Sequence, residues 1–97
     1  MASFRNESTD RLFETMSQLK SVEEFYEFFE DLCTIKEIQD MAQRLETAVL
    51  LDRGESYNDI ASQVKVSTAT ISRVSKCLNY GSGGYRKAID RMKEKEE

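Results

Sequence analysis

Ninety-seven residues bound the protein to one small domain with a limited core, expected to run over 1–97. A hydrophobic share of 39% suits a globular chain, while 33% charged residues, no proline and only four glycines favour helices over a turn-rich β protein. The net charge of −4 argues against a polyanionic partner if spread evenly, and the absence of histidine removes the commonest general acid/base and metal ligand, so neither an enzyme nor a metal site is expected.

In chain order, Leu12, Phe13, Met16 and Leu19 predict a first helix over about 9–20. Val22, Phe25, Phe29 and Leu32, broadened by Tyr26 and Phe28, predict a second over about 22–32. The longest stripe, Ile35, Ile38, Ala42, Leu45 and Val49, widened by Met41, Ala48 and Leu51, predicts a third helix of about 20 residues and roughly 30 Å. It should end near Arg53 with Gly54 as its cap, and it would form the spine of the protein. Ser21 with Glu24, Thr34 with Glu37 and Ser56 with Asp59 each place a hydroxyl three residues before an acid. In that arrangement the hydroxyl accepts from an otherwise unpaired amide and the acid returns a bond. Apolar faces this broad on the N-terminal helices serve either an internal core or a subunit interface, and the aromatic run 25–29 is the sharpest case.

From Tyr57 to Val74 the pattern is two short helices joined by a tight turn, with Ile60, Val64, Val66, Ile71 and Val74 inward and Ala61 where the helices cross. That is a helix-turn-helix over about 56–78. Lys65 stands in the turn, implying either a positive φ or a slightly different turn. On the second helix Ile71, Val74 and Leu78 share one face, Ser67 caps the start, and Thr68, Ala69, Ser72, Arg73 and Lys76 take the other face. Hydroxyls reach base edges or phosphates, Ala and Thr methyls meet thymine methyls, and Arg or Lys reaches guanine or phosphate. Lys65, Ser67, Thr68, Ala69, Thr70, Ser72, Arg73 and Lys76 are therefore the candidate DNA-binding residues. Gly81 to Gly84 looks like a turn, followed by a short amphipathic helix on Tyr85, Ala88, Ile89 and Met92 whose Arg86, Lys87 and Arg91 are placed to touch phosphates.

The charge follows this division. Residues 1–55 hold six basic and thirteen acidic side chains, net −7; residues 56–93 hold seven basic and two acidic, net +5. One part attracts a polyanion and the rest repels it, which orients approach. A single recognition helix reads few base pairs, so the reading is a homodimer on double-stranded DNA. No apolar run is long enough to span a membrane and no signal-like segment opens the chain, so a cytoplasmic protein is expected. Cys33 and Cys77 belong to no paired motif and are read as reduced thiols packed as small apolar groups.

The stretches "LCTIKEIQDMAQRLETAVLLDRGESYNDIASQ" and "STATISRVSKCLNYGSGGYR" resemble the Trp repressor family from Cys33 to about Met92, and over its full length the chain looks like the YerC/YecD branch of Trp-repressor-related proteins. The resemblance implies an all-α, six-helix fold, an intertwined homodimer and a transcriptional regulator. It also implies a candidate effector pocket at Thr34, Arg44, Arg73, Val74 and Cys77. Arg44 and Arg73 match the arginines that sandwich the tryptophan corepressor's ring. Val74 stands where the family has glycine on the pocket floor, and Cys77 where it has a serine assisting the ligand's amino group. A thiol is a poor acceptor, and an unpaired ammonium costs roughly 1–3 kcal/mol, so L-tryptophan is not the expected effector and no cofactor is expected. The function expected is sequence-specific DNA binding by a repressor whose 67–78 helix enters the major groove. The alternative is a protein-interaction module that docks on transcription machinery through the helix-turn-helix and the acidic N-terminal half.

Overall fold

The computed structural model describes residues 3–96; residues 1, 2 and 97 lie outside the described residues. They form six helices and, among the described residues, no strand: α1 (Glu7–Met16), α2 (Val22–Leu32), α3 (Ile35–Asp52), α4 (Tyr57–Val64), α5 (Thr68–Tyr80) and α6 (Gly84–Glu96). The backbone divides into two compact units between Ile38 and Gln39, inside α3. No described helix is long and apolar enough to cross a membrane.

In the first unit, α2 occupies the expected residues, whereas α1 starts two residues early and stops four residues early. The missed start is a capping box: the Asn6 side chain accepts from the Thr9 amide at 2.9 Å and the Thr9 hydroxyl accepts from the Asn6 amide at 2.9 Å. The helix ends where the Ser17 hydroxyl donates to the Glu14 carbonyl and the amides of Gln18 and Leu19 tighten onto carbonyls three residues back. Ser21 and Thr34 cap α2 and α3 as expected. Only Thr34 has its return bond in place, its amide donating to Glu37 Oε1 at 2.8 Å, while Glu24 accepts from Lys20 instead. Phe29 stacks obliquely on Phe25 and edge-on to Phe28, with centroids 6.2 and 5.9 Å apart.

The core of the second unit is built by α3, α4, α5 and α6. Ala48 and Val49 of α3 meet Val74 of α5 and Ile89 of α6, while Leu50 meets Ile60 of α4 and Ile71 of α5. The expected α3 stripe is therefore buried only at its C-terminal end, where Thr47 joins it and satisfies its hydroxyl by donating to the Gln43 carbonyl. Further up the helix Leu45 is 40% and Ile35 73% exposed. At 18 residues α3 is slightly shorter than expected. It closes on Gly54, which takes φ +86° while its amide donates to Leu51 and that of Glu55 to Leu50. That paired bonding needs the left-handed conformation glycine adopts freely.

Between α5 and α6 the chain turns at Gly81, whose amide donates to the Cys77 carbonyl; a Cβ there would collide with that same carbonyl. The sixth helix is not short: it has 13 residues, as many as α5. It is tied back to α3 by Asp52, a side chain only 10% exposed, which receives Arg86 at 2.8 Å and Lys93 at 2.6 Å. Hydrogen bonds from Lys93 and then Arg86 hold the Asp52 carboxyl below the usual aspartate range, and the same contact raises the Arg86 guanidinium.

Candidate nucleic-acid interface

The α4–α5 unit is assembled from its caps and three buried side chains. The Ser56 and Ser67 hydroxyls accept from the Asp59 and Thr70 amides, each at 3.1 Å, fixing where α4 and α5 begin. Between them only residues 65–67 lie outside the helices. Lys65 caps α4 at φ +63°, ψ +45°, so of the two turns left open by the sequence it is the left-handed one that forms. Ile60, Ile71 and Val74 are buried, with Val64 and Val66 half-buried beside them.

Burying Ile71 and Val74 turns the opposite side of α5 outward. Thr68, Ala69, Ser72, Arg73 and Lys76 are all exposed, as are Lys65 and Ser67 in the turn. No carboxylate occurs between Asp59 and Asp90, so Thr68, Ala69, Ser72, Arg73 and Lys76 present hydroxyls, methyls and positive charge with no acid among them. Thr70 differs from the other candidates. It is half-buried and its hydroxyl accepts from Ser67 at 3.1 Å, so it serves the cap and faces α3. On α6, Arg86 is engaged with Asp52 and, at 3.5 Å, Asp90, so it is not a spare cation for phosphate as expected.

Four of the five candidate effector residues converge. Arg44 from α3, Arg73, Val74 and Cys77 from α5 line one cavity of about 330 Å³, joined by Thr70 and by Tyr85 of α6. The fifth, Thr34, lies in the other unit, where it caps α3. Tyr85 carries no sequence signal for this role beyond its helical phase, because its place depends on the turn at Gly81–Gly83. A neighbouring polar cavity of about 310 Å³ has Asp40, Gln43, Arg44, Lys65, Val66, Ser67 and Thr70 on its walls, so Arg44 and Thr70 separate the two. Both cysteines are free, but Cys77 is exposed on the cavity rim and Cys33 only half-buried, so the expectation of two packed core thiols fails for Cys77.

Comparison with known proteins places this geometry. Residues 7–93 match the family model described as Trp repressor protein. The chain is 53% identical over 92 residues to the uncharacterized protein YerC of Bacillus subtilis, covering 95% of this chain and 88% of that relative. Among solved structures it is similar to a TrpR-like protein from Eubacterium eligens, with 44% identity, 91% of each chain covered and a TM-score of 0.89. It is also similar to a candidate Trp repressor from Staphylococcus aureus, with 43% identity, 92% of this chain and 89% of that chain covered and a TM-score of 0.88.

Proposed function

The chain belongs to the Trp repressor family, and from that premise we propose that it is a sequence-specific transcriptional regulator, acting as a repressor, that sets α5 into the major groove of operator DNA as a homodimer. The observation that carries the reading is the outward face of α5. Thr68, Ala69, Ser72, Arg73 and Lys76 are exposed there without one acid, on a helix held by the buried Ile71 and Val74. A merely solvated helix would mix Glu with Lys at i, i+4 spacing. Short side chains let the backbone approach base edges, while Arg73 and Lys76 reach guanine or phosphate.

Dimerisation is supported by the apolar surface left open on the first three helices. Phe13, Val22, Tyr26, Leu32 and Ile35 are each half or more exposed, which is more apolar surface than a small monomer ordinarily leaves in water. Sedimentation equilibrium at micromolar concentration should return twice the chain mass of 11.2 kDa. Selection of bound fragments from genomic DNA followed by gel shift tests the main reading. The wild-type chain should retain a discrete set of duplexes, and Arg73→Glu or Lys76→Glu should abolish retention with the helical content unchanged. Failure to hold any duplex at low salt would shift the weight to docking on a protein partner.

A further inference from the structure

Beyond Lys76 the outward side of α5 ends on an aromatic residue that is not among the sequence candidates. Tyr80 is the last residue of the helix and is 86% exposed. At about 100° per residue it falls roughly 20° from both Ala69 and Arg73 and about 180° from the buried Ile71, so it continues the same face. The Cα–Cβ bonds of a helix tilt toward its N-terminus, which sets the Tyr80 side chain off toward Lys76 and away from the turn at Gly81. The fold draws little from it. Among the described residues its hydroxyl has no hydrogen-bond partner and its ring no aromatic contact, and tyrosine is only a middling helix former.

Its position along α5 decides what it would meet on a duplex. In a helix of 13 residues Tyr80 stands roughly 18 Å beyond Thr68. A recognition helix puts its first residues against base edges, in a groove about 12 Å wide. With Thr68 and Ser72 at the bases, the far end of α5 has reached the rim, where the phosphates are. Tyrosine is among the side chains that donate to phosphate oxygens, and its ring can lie on the neighbouring sugar.

We propose that Tyr80 is a further DNA contact, its hydroxyl donating to a backbone phosphate at the rim of the groove, and that it positions α5 without reading sequence. Resting on the DNA-binding reading above, this contact differs in kind from those of Arg73 and Lys76. A neutral donor displaces no counterion, so it adds affinity without adding salt dependence.

The test compares wild type with Tyr80→Phe, which removes the hydroxyl alone, by fluorescence anisotropy on two duplexes: one recovered by the genomic selection and one of random sequence. Tyr80→Phe should raise Kd about two- to tenfold, the worth of one hydrogen bond, by the same factor on both duplexes. The salt slope and the circular dichroism spectrum should stay as in wild type. Replacing single phosphates of the selected duplex by neutral methylphosphonates should find a position that weakens the wild type but not Tyr80→Phe. Equal Kd values for the two proteins overturn the contact. A loss confined to the selected duplex makes Tyr80 a reader of bases and overturns the phosphate assignment, as does a methylphosphonate scan that affects both proteins alike. A wild-type chain that holds neither duplex refutes the DNA-binding reading itself, and the contact falls with it.

Discussion

Replacing Lys65 by glycine should stabilise the protein. Lys65 caps α4 at φ +63° and ψ +45°, a conformation that costs an L-residue roughly 1–2 kcal/mol. Glycine escapes that cost but loses about 0.5–1 kcal/mol through its freer unfolded chain. The Lys65 side chain is exposed and none of its contacts offsets the difference. The net expectation is a gain of about 0.5–1 kcal/mol, which for a domain of this size raises Tm by roughly 2–8 °C. Thermal unfolding followed by circular dichroism, at fixed protein concentration because dimers couple Tm to concentration, measures it. Lys65→Ala is the control: it removes the same charge but keeps the backbone cost, so its Tm should stay near wild type. The strain argument is refuted if Lys65→Gly melts lower than wild type, or if Lys65→Ala rises as much as Lys65→Gly.

Neighbouring positions on α5 should separate cleanly. Ile71→Ala, which empties a fully buried position, should cost about 2–5 kcal/mol in denaturant unfolding. Ser72→Ala should stay within roughly 0.5 kcal/mol of wild type yet lose about two- to tenfold in operator affinity, the worth of one hydrogen bond. The Asp52 contact sets an acid limit. Its carboxyl titrates lower folded than unfolded, so its contribution is fully present above the ordinary aspartate value near pH 4 and is lost as pH falls through the lower folded value. Asp52→Asn should therefore reduce stability at neutral pH and flatten the stability profile below pH 4, as urea titrations across that range would show.

What was legible in the sequence follows from where the determining contacts lie. Ser21, Thr34, Ser56, Ser67 and Gly54 act within a turn of their own position, so spacing alone located those helix ends. The Asn6–Thr9 box was equally local, but it pairs an amide with a hydroxyl where the pattern sought had an acid. The faces of α5 were legible because Ile71 and Val74 leave only one side for Thr68, Ser72, Arg73 and Lys76. The α3 stripe left core and subunit interface open, because periodicity reports an apolar face and not what covers it; among the described residues Thr47 to Leu50 are buried and Leu51 packs beside them, while Leu45 and Ile35 stay exposed. Residues distant in sequence were harder still. Neither the Asp52 contact to Arg86 and Lys93 nor the approach of Tyr85 to Arg44 has a local signature, since each depends on how α6 returns after Gly81.

The claim on which the account turns is that α5 meets the phosphates and bases of a duplex through Arg73 and Lys76. It is tested most directly by measuring operator affinity against salt for the wild type, Arg73→Gln and Lys76→Gln. The account predicts that log K falls linearly with log salt and that each substitution shallows the slope by about one, the loss of one phosphate contact. A slope unchanged by either substitution, with the variants folded, would show that this face does not touch DNA.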